Sequence, residues 1–237
     1  MPTKNEYENL KILLKSIPSY VDEIIVVDGN STDGTYSYLQ KSNLVSRVIL
    51  QKSSGKGDAI RIGLQSATKE LIICMDADGS MSPEEFPIIL DTMIEKGADI
   101  AKGSRYLDDP LSGSDDLSKF RSLGNLFLLN LANKLYKSDW TELAYGFFGL
   151  KRSIVKNLGL SNIEKKTKRN FHFLSYSHGF EIEAILFCRA IVKSYKVEEF
   201  PSFERNRWNG TSNLKAIPDG IRILLALLIE RFKLNKT

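Results

Sequence analysis

The feature that most constrains the fold is a regular alternation along the first two thirds of the chain. Apolar runs rich in β-branched residues, each of strand length, alternate there with amphipathic segments of helical period. The strand-type runs occupy 23–28, 47–50, 70–75 and 98–101, and the helical segments occupy 33–41, 58–66 and the stretch opened by Pro83. This alternation predicts βαβ units, hence an α/β fold with a mostly parallel central sheet flanked by helices.

The last third is less regular. A polar stretch over 108–118 indicates a loop, helical period returns over 120–136 and 179–192, and a charged run over 164–169 indicates a solvated loop. A short apolar run over 223–229 is bracketed by charged residues. We therefore expect a catalytic domain over 1–212 and a C-terminal apolar and basic helix over 213–237. That helix either caps the core or lies in a membrane interface.

Composition excludes several functional classes. The chain has 237 residues, and 33 Lys and Arg against 29 Asp and Glu leave a net charge of +4, too small to indicate a nucleic-acid partner. Cys74 and Cys188 lie far apart in apolar surroundings, which argues against a disulfide framework and favours a reducing, cytoplasmic setting. No apolar run approaches the roughly 20 residues that cross a bilayer, and the start shows no secretory signal.

The sharpest motif is Asp76-Ala77-Asp78-Gly79, directly after an apolar run predicted to be a buried strand. In open α/β sheets ligands bind at the carboxyl ends of the strands. Two carboxylates at that place are suited to a hard divalent cation that also grips a diphosphate. A calcium loop fits poorly, because Met81 and Pro87 stand where such a loop needs Gly and Glu. An acidic turn without a ligand remains the alternative.

Two weaker motifs also follow predicted strands. Asp28 ends one strand ahead of a turn rich in Asp and Gly, where a carboxylate is suited to hydrogen bonds from a nucleobase or ribose. Lys56 lies between two glycines at the start of a helix, an arrangement suited to phosphate. The spacing of the glycines matches neither a P-loop nor a dinucleotide fingerprint.

Three arginines stand in separate polar contexts: Arg105, Arg121 and Arg207. Arginine recognises phosphate in a bidentate manner, so three of them are able to converge on one anionic group, although each alone is more often a surface charge. The two histidines, His172 and His178, lack a carboxylate at helical spacing, and we interpret both as structural.

Taken together, these motifs resemble the family 2 glycosyltransferases of GT-A fold, especially the dolichyl- and polyprenyl-phosphate sugar transferases. The resemblance runs in order over nearly the whole chain. The matching segments begin at Pro2, Val27, Gly55, Asp76, Gly103, Phe120, Glu142, Gly179 and Arg207.

The resemblance implies a role for each matching residue. Nucleotide-sugar contacts would come from Pro2, Glu6, Asp28, Lys56, Asp76, Ala77 and Asp78. Asp76 and Asp78 would hold Mg²⁺ or Mn²⁺, and the acceptor phosphate would be bound by Arg105, Arg121, Arg207 and Ser212. The implied catalytic residues are Asp78, Arg105, Arg121 and Glu142.

The implied reaction is inverting, metal-dependent transfer of a hexosyl group from a UDP- or GDP-linked sugar to a polyprenyl phosphate. The enzyme would be peripheral at the cytoplasmic face of the membrane. A phosphate acceptor is already an anion and needs positioning more than deprotonation, whereas a hydroxyl acceptor needs a general base. If the acceptor is a saccharide or lipid hydroxyl, Glu142, which stands where relatives usually carry Asp, is the expected base. A sugar nucleotidyltransferase and a non-catalytic nucleotide-sugar binder are further alternatives.

The resemblance also predicts a defect at the start of the fold. Relatives carry an apolar strand before the motif that begins at Pro2, and here Met1 precedes that residue directly. We expect the first strand to be truncated, leaving unpaired edges and a hole in the core. Our hypothesis is that the start of the chain is assigned too late.

Overall fold

A computed structural model describes residues 1–116, 119–160, 178–211 and 214–234 of the chain. The first half alternates strands and helices in the order β1 (Pro2–Thr3), α1 (Tyr7–Ser16), β2 (Ile25–Asp28), α2 (Thr35–Lys41), β3 (Arg47–Leu50), α3 (Lys56–Ser66) and β4 (Leu71–Cys74). Strands β1, β2 and β3 form a parallel sheet in that order, with Pro2 opposite Val27 and Val26 opposite Val48.

The second half begins with a 3₁₀ turn at Pro83–Glu85 whose N-cap is Ser82. It continues with α4 (Phe86–Ile94), β5 (Ile100–Ser104), β6 (Gly113–Ser114), α5 (Lys119–Tyr136), β7 (Phe148–Lys151), α6 (Arg152–Val155), α7 (Ile182–Val192), β8 (Val197–Pro201), β9 (Phe203–Glu204) and α8 (Ala216–Leu234). The second sheet has the order β4-β7-β5-β8, in which β7 runs antiparallel to both neighbours. Strands β6 and β9 pair separately.

The α/β architecture with mostly parallel pairing is therefore as predicted. The four strand-type runs of the alternation all contain strands; the run 47–50 coincides with β3, and the boundaries of the other three differ by at most three residues. Strand β7 gives no clear sequence signal, because Gly149 interrupts its short apolar run. That glycine is required by packing, since a Cβ there would lie 2.5 Å from a methyl of Ile89 on α4.

The C-terminal helix α8 is part of the main core. Its inner face buries Ile223, Ala226 and Leu227 against α5 and α7. Glu230 on the same helix forms an ion pair of 2.8 Å with Arg189 of α7. Through this inner face the helix caps the core, as one of the two expectations for the segment states. No helix within the described ranges combines the length and apolarity needed to cross a membrane.

The first strand is short. Strand β1 has two residues, and the edge of β4 opposite β7 pairs with no strand among the described residues. An apolar cavity of about 520 Å³ lies beside them, lined by Met1, by residues of β2 and β4, and by α3. The amino group of Met1 is buried, which lowers its pKa, and it donates a hydrogen bond of 2.9 Å to the carbonyl of Ile25.

These features predict that added apolar residues before Met1 will stabilise the fold. An extension of sequence Val-Ile-Val-Ile continues β1 along β2, fills the cavity and moves the charged amino group away from the core. We expect the free energy of unfolding, measured by denaturant titration, to rise by about 2 kcal/mol. An extension Gly-Ser-Gly-Ser moves the charge equally but fills little space, and equal stability of the two variants would contradict this account.

Candidate active site

The candidate site lies where several elements end at the carboxyl edge of the sheets. Asp28 ends β2, Asp76 and Asp78 follow β4, Lys56 begins α3, and Arg105 follows β5. The predicted donor-side residues are thus brought to one edge by the topology itself, since parallel strands point their carboxyl ends the same way.

Asp78 is almost fully buried, and both of its carboxylate oxygens are engaged. Oδ1 accepts hydrogen bonds from the backbone NH and the hydroxyl of Ser80, at 2.9 and 2.6 Å. Oδ2 lies 2.7 Å from Nη2 of Arg207. The turn passes through Gly79 at φ +82°, a backbone conformation that favours glycine.

Asp76 is paired with Lys56. The ammonium of Lys56 lies 2.8 Å from Oδ2 of Asp76 and 3.1 Å from Oε1 of Glu183. Burial by itself would lower the pKa of Lys56, but the two carboxylates outweigh burial and raise that pKa, so the lysine is charged. A Cβ on Gly146 would lie 2.7 Å from this ammonium, so a larger residue at that position would move the end of the Lys56 side chain.

The donor set fits a divalent cation that is shared with a substrate. Within the described ranges, no group of three or more His, Cys, Asp or Glu side chains is placed to hold a metal ion. Asp76 and Asp78 alone supply two carboxylates. Mg²⁺ in proteins is commonly held by one or two carboxylates together with substrate phosphates, and these two residues match that pattern.

The nucleotide side is organised around Asp28. Its side chain is fully buried, Oδ2 accepts a hydrogen bond of 2.9 Å from the NH of Ser31, and Oδ1 has no partner among the described residues. Glu6 accepts a hydrogen bond of 2.5 Å from the side chain of Asn9, and burial raises the pKa of Glu6. Asp28 thus keeps one buried acceptor available for a ligand.

Two of the predicted nucleotide-sugar contacts are placed differently from the others. Ala77 is buried in a core cluster with Leu10, Val26 and Leu39. Pro2 pairs in β1 and lines the cavity beside that strand. The side chains of Ala77 and Pro2 therefore pack within the fold beneath the site.

On the acceptor side, Arg105 is held by two carboxylates. Its Nε lies 2.8 Å from Glu142 Oε2, and its Nη1 lies 2.8 Å from Glu204 Oε2. Burial would lower the pKa of Arg105, but Glu142 and Glu204 raise it. The guanidinium also lies 4.7 Å from the ring centre of Tyr145. This arrangement fixes the orientation of Arg105 and gives Glu142 an orienting contact.

The remaining predicted arginines, Arg121 and Arg207, line one cavity together with Arg105. Arg121 forms an ion pair of 3.1 Å with Asp116, and Arg207 pairs with Asp78 as described above. Both line a cavity of about 330 Å³ together with Lys56 and Arg105. Ser212, the other predicted acceptor residue, lies outside the described residues, as do His172 and the charged run over 164–169.

The cavity has two chemically distinct walls. Its cationic wall is named for Lys56, Arg105, Arg121 and Arg207, and its apolar wall comes mainly from α5 and α8. The four cations are accompanied in the lining by the carboxylates of Asp76, Asp116, Glu183, Glu204 and Asp219. The apolar side chains that line it are Phe127, Leu128, Leu214, Ile217, Ile221, Ile223 and Leu224. The cavity is therefore suited to a molecule with an apolar tail, whose anionic head would replace a carboxylate as the partner of one or more of the four cations.

Sequence reasoning missed an interior ion pair that supports this cavity. Lys102 in β5 is fully buried, and its ammonium lies 2.5 Å from Oε1 of Glu199 in β8 and donates to the carbonyl of Glu142. Glu199 accepts hydrogen bonds of 2.8 and 3.1 Å from the backbone NH groups of Thr141 and Glu142. The pair thus anchors the loop that presents Glu142 to Arg105.

Glu183 and Glu204 were also missed as contacts. Glu183 lies in the matching segment that begins at Gly179, where the sequence indicates helix but no contact, and no pattern around Glu204 marks it. The partners of Glu204 and Glu199 lie far away in sequence, for example Ser114, 90 residues from Glu204, and Lys102, 97 residues from Glu199. Such contacts leave no local sequence signal.

Comparison with curated proteins finds sugar transferases. The dolichol-phosphate mannosyltransferase of Pyrococcus furiosus is 32% identical over 171 residues, which cover 69% of this chain and 48% of that protein. The polyprenol monophosphomannose synthase of Mycolicibacterium smegmatis is 28% identical over 229 residues, covering 90% of this chain and 79% of that protein. The match to the Pyrococcus protein thus spans about half of that relative's length.

Solved structures support the fold. Glucosyl-3-phosphoglycerate synthase from Mycobacterium tuberculosis, in complex with phosphoglyceric acid, superposes with a TM-score of 0.69 at 17% identity, covering 98% of this chain and 78% of that one. Its complex with Mg²⁺ and UDP gives a TM-score of 0.69 with coverage of 98% and 77%. These superpositions confirm the predicted GT-A fold.

A family model described as glycosyl transferase family 2 matches residues 1–159. The match includes the motifs of Asp28, Lys56, Asp76, Asp78 and Arg105, whose side chains the structure gathers at the carboxyl edge of the sheets. The predictions of a glycosyltransferase and of its family are therefore confirmed: the chain belongs to glycosyl transferase family 2.

Proposed function

We propose that this chain transfers a hexosyl group, with inversion, from a nucleoside-diphosphate sugar to a polyprenyl phosphate at the cytoplasmic face of a membrane. The observation that carries the proposal is the cavity with one cationic and one apolar wall beside Asp76. A phosphate on a long hydrocarbon tail matches both walls, whereas a saccharide hydroxyl acceptor matches neither. The names of the Pyrococcus and Mycolicibacterium relatives agree with this substrate class.

On the donor side, the buried unpartnered oxygen of Asp28 is placed to accept a hydrogen bond from the nucleobase, and half-buried Glu6 lies nearby on the same edge. Asp76 and Asp78 would hold Mg²⁺ or Mn²⁺. When bound, that cation would neutralise charge on the leaving diphosphate. Lys56 supplies a second positive charge at the same place. Structures of the Mycobacterium synthase contain UDP with Mn²⁺ or with Mg²⁺, which supports this donor class.

On the acceptor side, Arg105, Arg121 and Arg207 would bind the phosphate of the acceptor. A phosphate oxygen is already anionic at neutral pH, so its attack on the anomeric carbon requires alignment and no general base. Both oxygens of Glu142 are engaged, one by Arg105 and the other, at 3.3 Å, by the NH of Leu143. Glu142 would therefore orient Arg105, which disfavours the alternative in which it deprotonates a hydroxyl.

The apolar wall continues onto the surface and would meet the membrane there. Leu123, Leu126 and Phe127 of α5 and Ile217 and Ile221 of α8 are exposed, and three of these five also line the cavity. Large apolar side chains around the mouth of a cavity are typical of contact with lipid. We propose that this rim lies against the bilayer from which a polyprenyl chain enters.

The acceptor is tested by incubating purified protein and Mn²⁺ or Mg²⁺ with radiolabelled UDP- and GDP-sugars and a short polyprenyl phosphate. We expect label to enter the organic phase. Asp78→Asn and Arg121→Gln are expected to lower the rate by about 100-fold or more, because they remove charge that faces the leaving diphosphate and the acceptor. Glu84→Gln and Arg205→Gln, which break an exposed ion pair of 3.0 Å, are the matched controls and should retain activity.

Absence of organic label while the donor still binds would contradict a polyprenyl phosphate acceptor. The panel would then be repeated with saccharide and lipid hydroxyl acceptors. In that case Glu142→Gln, which is expected here to weaken acceptor binding, would instead have to abolish turnover.

The membrane rim is tested by sedimentation with liposomes that contain anionic lipid. The triple variant Leu123→Gln, Leu126→Gln, Phe127→Gln should lose most of its binding, because these side chains would no longer bury apolar surface in the interface. The control is Ile94→Gln, since Ile94 on α4 is 68% exposed, as Leu123 is, and does not line the cavity. Equal binding of the triple variant and the wild type would show that the rim is not the contact surface.

A further inference from the structure

The loop over 205–211 packs directly on the turn that carries the two metal-site aspartates. The NH of Arg205 donates to the carbonyl of Ser80 at 2.9 Å, and the NH of Trp208 donates to the carbonyl of Asp78 at 3.1 Å. The ring of Trp208 lies so close to Gly79 that a Cβ there would be 2.3 Å from it. The loop therefore holds Arg207 at a fixed place relative to Asp78.

Arg207 occupies the oxygen of Asp78 that a cation would need. Its Nη2 lies 2.7 Å from Oδ2, with the side chain of Asp78 4% exposed and that of Arg207 24% exposed. The other oxygen of Asp78 is taken by Ser80. Since a guanidinium and a divalent cation repel each other, both cannot lie against the same carboxylate oxygen without a large electrostatic cost.

Arg207 also lines the cavity with the cationic wall, where its charge is suited to a substrate phosphate. Its guanidinium thus has two possible anionic partners. One is the carboxylate of Asp78 on the turn 76–80, named the metal turn because it carries both metal-site aspartates, and the other is a phosphate in the cavity. The side chain remains partly exposed, so it is able to change partners without unfolding the loop whose backbone is bonded to the turn.

We propose that Arg207 exchanges partners during the reaction cycle. It neutralises Asp78 while the metal turn is empty, and binding of the metal with the nucleotide displaces it toward the acceptor phosphate. Arg207 thereby becomes available to the acceptor phosphate only after the donor complex has taken its place at Asp78. The exchange rests on the proposed function for its second partner but not for its first.

The pairing of Arg207 with Asp78 is tested by measuring Mn²⁺ affinity. Electron paramagnetic resonance monitors Mn²⁺ binding in the presence of saturating UDP or, in a parallel series, GDP. Arg207→Gln removes the competitor for Asp78, so Mn²⁺ should bind about fivefold more tightly than to the wild type. Asp78→Asn should lose most of the binding, which shows that the signal comes from this turn.

Arg205→Gln is the matched control. It removes the same charge from the same loop, two residues away, but Arg205 pairs with Glu84 at the surface, where the two side chains are 52% and 79% exposed. Its Mn²⁺ affinity should equal that of the wild type. Unchanged or weaker Mn²⁺ binding by Arg207→Gln overturns the proposal, and so does an equal gain in Arg205→Gln, because the effect would then be one of overall charge.

The second partner is tested with farnesyl phosphate by calorimetry. Wild-type affinity should rise about fivefold when Mn²⁺ and the nucleoside diphosphate are present, and Arg207→Gln should show no rise. Equal wild-type affinity in both conditions overturns the ordered exchange. If the Mn²⁺ result holds but farnesyl phosphate does not bind at all, the competition at Asp78 stands and the proposed acceptor is wrong.

Discussion

The candidate site depends on pairing between buried carboxylates and cations. Asp76 is paired with Lys56, Asp78 with Arg207, and Glu142 with Arg105. A carboxylate taken out of water is costly unless a cation and hydrogen bonds compensate it. In a site that binds a metal and two phosphates, the carboxylates and the cations must therefore pair with each other whenever the ligands are absent. The three ion pairs of this site follow from that requirement.

The orientation of the Glu142–Arg105 pair depends on a second ion pair in the interior, between Lys102 and Glu199. Lys102 points into the interior, 5.2 Å from the ring centre of Trp140 and 5.4 Å from that of Phe187, and burial lowers its pKa. Its bond to Glu199 keeps an acceptor in place for the backbone of the loop that ends at Glu142. The cationic wall of the cavity is thus set by an ion pair in the interior, which explains why a lysine is tolerated in a strand where an apolar residue would otherwise be expected.

Which site residues the sequence can predict depends on whether their contacts are marked by a local pattern in the chain. Asp28, Asp76, Asp78 and Arg105 lie at the end of a strand or within four residues after one, and the alternation that reveals the strands also places these residues at one edge. Ala77 shows the limit of that reasoning, because it lies in the bend after β4, between the two site aspartates, and is nevertheless directed into the core. Lys102, Glu199 and Glu204 were not predictable, since their contacts join segments 40 to 99 residues apart.

Helix α8 has two roles: it stabilises the fold, and it lines the proposed acceptor site. One face buries Ile223, Ala226 and Leu227, while Ile217 and Ile221 on another line the cavity mouth. Removing the segment 213–237 would therefore expose the core cluster of α5 and α7 and would say nothing about lipid contact. Only substitutions confined to the exposed side chains separate the two roles, because the buried face is then left intact and any loss of membrane or acceptor binding arises at the surface.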